Sequence, residues 1–122
     1  MRRLAAAAVV LVALLHVYFL VLEMFLWQTP FGMSTFGTTP EIAASSAVLA
    51  ANQGLYNGFL AAGLIWALLA YGVARGRAIL TFFLLCVVVA GIFGGATANL
   101  RILFVQALPA AIALALVRTS RE

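Results

Sequence analysis

Four hydrogen-bonding side chains, Asn52, Gln53, Tyr56 and Asn57, stand at the head of an apolar run that carries no charge before Arg75. This stretch constrains the chain more than any other. An unpaired polar group in an apolar surround costs several kcal/mol, so a fold that buries the run must supply partners for the cluster. The polar residues elsewhere in the chain can be read as candidates for that role.

A water-exposed surface cannot be built from this composition. Only 8% of the 122 residues are charged and 66% are hydrophobic, with a mean hydropathy of +1.19, whereas a soluble domain carries about 25% charged residues. The expected class is therefore an all-α membrane protein, a single transmembrane domain over residues 1–122. The net charge of +4 does not argue for nucleic acid. Every basic residue is an arginine at the end of an apolar run, where it acts as a topology signal. Cys86 is the single cysteine, so no internal disulfide is available, and it reads as packing filler.

Four spans are expected, at about residues 4–27, 54–74, 78–98 and 102–117. The first run follows Arg2-Arg3, yet it exceeds a ~7–15-residue signal core and lacks a small-residue cleavage site, so it reads as a retained helix. Residues 28–40 hold Pro30, Gly32, Gly37 and Pro40 and are expected to form a surface loop. Thr39-Pro40-Glu41 has the form of a helix start, with Thr as cap and Pro at the first position. The pattern from there to Arg75 is too long for one span of ~20 residues. Residues 41–53 are therefore expected to be a helical lead-in at the outer interface. Asn99-Leu100-Arg101 reads as a tight hairpin. With four spans, Arg2, Arg3, Arg75, Arg77, Arg118 and Arg121 fall on one side and Arg101 on the other. That asymmetry places both termini in the cytoplasm, with the cell membrane crossed four times.

This topology gathers the polar residues in the outer half of the bundle. Glu23 and Trp27 close span one, Asn52 to Asn57 open span two, Thr97 and Asn99 end span three, and Gln106 lies about one turn into span four. His16, Glu23 and Trp27 share one helical stripe, with His16 near the midplane. Gly54 and Gly58, like Gly91 and Gly95, have the spacing that lets helices approach closely, and such faces also suit a homodimer. Pro109 removes a donor and frees the Val105 carbonyl.

Glu23 is the only acid inside a span, and an intramembrane ionisable residue is a functional candidate by default. The alternative is a structural ion pair with Arg101. The leading reading is a pocket of Glu23, Trp27, Asn52, Gln53, Tyr56, Asn57 and Gln106 that binds or moves a small polar or amphipathic ligand. A second is a small isomerase-like membrane enzyme with Glu23 and His16 as acid and base. A third is a structural or accessory subunit whose polar layer only joins helices. Membrane lipid is the expected surrounding partner. One His, one Cys and one intramembrane Glu offer no metal-ligand spacing, and no cofactor motif is present.

The motifs His16-Val17-Tyr18-Phe19, Leu22-Glu23-Met24-Phe25-Leu26-Trp27, Phe36-Gly37, Thr39-Pro40-Glu41, Ala50 through Leu60, and Gln106 with Pro109-Ala110 carry a family resemblance. On them the chain resembles the small bacterial membrane proteins grouped as domain of unknown function 1304. The resemblance implies a four-span protein and brings no catalytic residues with it. A more distant likeness to DoxX-like four-helix membrane proteins rests on architecture alone.

Overall fold

A computed structural model describes residues 1–120; Arg121, counted above among the topology signals, lies outside the described residues, as does Glu122. The described chain is all-helical, with no strand. Helix α1 spans Arg2–Met24, α2 Pro30–Phe36, α3 Pro40–Arg75 and α4 Arg77–Thr97, and a π-helical segment at Leu103–Ala107 leads into α5 at Leu108–Thr119. Three of these, α1, α3 and α4, are long and apolar enough to cross a membrane, their most apolar 18-residue stretches having mean hydropathies of 2.6, 1.6 and 2.5. Leu103–Thr119 is a shorter apolar helix.

The chain forms two compact units: residues 16–59, and residues 1–15 with Leu60 onward. The second of these, here called the apolar unit, is packed from small and branched residues at helical spacing. Ala5 and Val9 of α1, Leu64 and Ala67 of α3, Leu80, Leu84 and Val87 of α4, and Ala110, Ala113 and Val117 of α5 are all buried in one cluster. Small residues at such an interface permit a close van der Waals fit. Gly91 shows how close: a β-carbon placed there would stand 2.5 Å from the Ala107 backbone nitrogen. Gly95 faces Leu103 in the same way, with 3.0 Å to the Leu103 Cβ. At the other end of this unit the Arg77 guanidinium donates to the Ser120 carbonyl, joining the start of α4 to the end of α5.

Two local features of this unit follow from single residues. Gly72 has φ 66°, outside the helical region, so α3 is broken three residues before its last. A side chain is strained there, which is why glycine occupies it. At the other end, Pro109 has no N–H for the Val105 carbonyl. The preceding Leu108 N–H bonds to the Leu103 carbonyl five residues back, which makes the π turn. Loss of a donor at Pro109 is thus absorbed by a wider turn upstream.

The unit of residues 16–59 contains a helix where a loop is expected. Residues 30–36 form α2, with Thr29 as N-cap accepting from the Gly32 N–H at 3.1 Å and Pro30 at the first position. Gly37, in the left-handed region at φ 65°, closes it. Two of the turn formers of this segment, Pro30 and Gly37, therefore mark the ends of a short helix. Gly32 seats against the Leu26 carbonyl, where no β-carbon fits. The start of α3 follows its sequence signal: Pro40 is first, and Thr39 accepts from the Ile42 N–H at 3.3 Å.

Candidate functional site: a glutamate held by an asparagine

Within residues 16–59, α3 turns a stripe of small residues inward: Ala43 and Ala50 are buried, and so is Gly54. This stripe repeats every three or four residues, and its next position is Asn57. Gly54 lets α1 come close, for a β-carbon there would meet Met24 Cγ at 2.7 Å and Glu23 Cβ at 3.1 Å. Gly58 is met by the Leu20 Cδ1 at 2.6 Å. The two glycines thereby fix the phase of the helices, and that phase carries Asn57 to the Glu23 carboxylate. Asn57 Nδ2 donates to both oxygens, at 3.3 and 3.4 Å.

The remaining cluster residues separate. Asn52 is exposed and donates to its own helix at the Val48 carbonyl, 2.9 Å, the local bonding typical of this residue type. Gln53 is exposed, and Tyr56 is 52% exposed with its ring 6.2 Å from that of Phe59. Trp27 donates its indole N–H to Ser46 Oγ at 3.1 Å, and its ring lies 4.8 Å from Phe36 of α2. Ser46 Oγ in turn donates to the Ile42 carbonyl at 2.6 Å. His16 is 1% exposed, edge-on to Phe19 at 5.3 Å. Gln106 belongs to the apolar unit, half-buried in the π segment.

Glu23 and Asn57 are thus brought together by the fold, and Trp27 is brought to a residue that the sequence did not single out, Ser46. Ser46 could have been found only from the helical phase, since a serine among alanines reads as a tolerated small residue. Among the described residues Glu23 has no basic partner: its carboxylate is held by a neutral amide. No group of three His, Cys, Asp or Glu capable of holding a metal lies among the described residues.

Fold and site together define an all-helical protein of long apolar helices with one acid–amide contact between two of them. The chain belongs to the family described as protein of unknown function (DUF1304), whose model matches residues 10–118. No curated protein and no solved structure matches it.

Proposed function

We propose that this is a four-span protein of the bacterial cytoplasmic membrane, with both termini inside, that binds or moves a small polar or amphipathic ligand at Glu23. Supporting the membrane reading are three long apolar helices and arginines gathered at helix ends. The fourth crossing, Leu103–Thr119, is about 25 Å long at 1.5 Å per residue. That is short of a ~30 Å hydrocarbon core, and local thinning of the bilayer accommodates the difference. Helix α3, at 36 residues, is about 54 Å long, so its first turns emerge as the interfacial lead-in. A reporter fused to the C-terminus should localise oppositely to one inserted within residues 28–40; a periplasmic C-terminus would overturn the topology.

The observation that carries the binding reading is the Glu23–Asn57 contact. An acid at this depth, held by an amide and without a countercharge, is an expensive arrangement to keep for packing alone. The proposed site is drawn on residues 16–59: Glu23 and Asn57 at its centre, Tyr56, Gln53 and Asn52 on the exposed side of α3, and Trp27 near the end of α1. Ligand donors would be attracted to the carboxylate oxygens. Glu23→Gln keeps size and hydrogen bonding but removes the ionisable group. The variant should stay folded and lose the thermal-shift response to whichever polar or amphipathic compounds stabilise the wild type. A response equal to wild type would sink the claim that Glu23 is the binding group.

A structural role is the second reading, favoured by the Trp27–Ser46 bond, which joins the turn after α1 to α3 and satisfies the indole N–H. The acid–base enzyme reading would need His16, which is enclosed, to reach substrate. A homodimer would have to use a face other than the glycine pairs, because Gly54, Gly58, Gly91 and Gly95 are filled from within the chain.

A further inference from the structure

The π segment shapes a surface that the Glu23 reading does not use. Between α4 and the Leu103–Thr119 helix lies an open groove of about 250 Å³, walled by Val88 and Ile92 on one side and by Phe104, Leu108 and Ala111 on the other. Every lining residue is apolar. The groove exists because Gly91 and Ala107 touch backbone to backbone, while the wide turn leaves Phe104 (59% exposed) and Leu108 (50% exposed) standing outward beside the contact.

A charged residue adjoins one of the lining residues. Arg101 is exposed and stands one turn before Phe104, on the hairpin where the Asn99 side chain accepts from the Arg101 N–H at 2.9 Å. Residues three apart on a helix are neighbours on its surface. The apolar unit holds Arg2, Arg3, Arg75, Arg77, Arg101 and Arg118 and, among its described residues, no acid. The described residues of this unit therefore give the Arg101 guanidinium no carboxylate. A cation at the mouth of an apolar groove is complementary to one class of molecule above others, an anionic head on a hydrocarbon tail. A guanidinium matches phosphate with paired N–H donors.

We propose that this groove seats one acyl chain of an anionic phospholipid whose phosphate is bound by Arg101. The inference rests on membrane insertion but not on any role for Glu23. The groove commits to lipid over a second copy of the chain because a two-fold interface sets this patch against its own copy, whose described residues offer Arg101 no carboxylate.

The test uses the full chain in vesicles containing phosphatidylglycerol and phosphatidylcholine, with a photoactivatable group in the acyl chain of one or the other. Flotation before irradiation shows whether the protein is inserted; failure to float overturns the membrane reading itself and the present inference with it. In the inserted wild type, labelled peptides should contain Val88–Ile92 and Phe104–Ala111, several-fold more from phosphatidylglycerol than from phosphatidylcholine. Arg101→Gln should bring the two lipids to equal labelling, and Arg101→Lys should retain most of the preference. Ala111→Phe, at an exposed position, should fill the groove and reduce labelling from both lipids several-fold. Equal labelling in the wild type, or a preference unchanged by Arg101→Gln, would each overturn the proposal.

Discussion

The two units are held by different forces. The apolar unit is joined by shape: a buried cluster of Ala, Val and Leu, with Gly91 against the Ala107 backbone. In residues 16–59 the helices are joined by directed bonds as well, Asn57 to Glu23 and Trp27 to Ser46. Van der Waals contact falls away when a surface stops fitting but does not name a partner atom. A hydrogen bond names one. The apolar unit is therefore most sensitive to added volume, and residues 16–59 to the loss of a polar atom.

The largest expected effect breaks the fit of the apolar unit. Gly91→Ala places a methyl against backbone that cannot yield, and overpacking of this kind should cost about 3 kcal/mol. Chemical unfolding in detergent would measure it; a loss under about 1 kcal/mol would mean that the contact at Ala107 is loose. Asn57→Leu breaks the other kind of joint. It leaves the carboxylate without its amide and should cost about 2 kcal/mol, the usual penalty for a stranded polar group. The double variant with Glu23→Gln should couple to it, and strictly additive losses would show that the two residues do not interact.

Smaller changes sharpen the contrast. Trp27→Phe retains the ring against Phe36 and loses one hydrogen bond, for an expected cost of about 1 kcal/mol. Gly58→Ala should fall within about 0.5 kcal/mol of wild type, because the atom it meets is the movable end of Leu20 and alanine improves the helix. A Gly58→Ala loss as large as that of Gly91→Ala would erase the distinction between backbone and side-chain seats.

Much of the helix pattern is legible in the sequence, because apolar runs between arginines and the Thr39-Pro40 start are local signals. Residues 30–36 were readable too, since Thr29-Pro30 and Gly37 are the same kinds of cap as Thr39-Pro40 and a terminal glycine. Their density disguised them as a loop. The break at Gly72 and the π turn follow from single residues, Gly72 and Pro109, but a lone glycine or proline in an apolar run does not announce which departure from the helix it makes. For the site, the sequence brings Asn57 forward only as one of four. Choosing it requires the helical phase, which Gly54 and Gly58 set through contacts with Leu20, Glu23 and Met24. Ser46 stays hidden for the same reason.

The division of α1 between two units has a consequence for the order in which the protein is made. Residues 16–59 are contiguous, so every partner in the Glu23–Asn57 and Trp27–Ser46 joints exists once the first 59 residues have been synthesised. The opening half of α1 instead packs with residues from Leu60 onward, as far as Val117. At ~5–20 residues per second, the ribosome completes those partners several seconds after the first joint becomes possible. During that interval Ala5 and Val9 lack the α5 neighbours of their final cluster. A nascent chain arrested after residue 59 should already protect a cysteine at position 46 as well as the complete chain does.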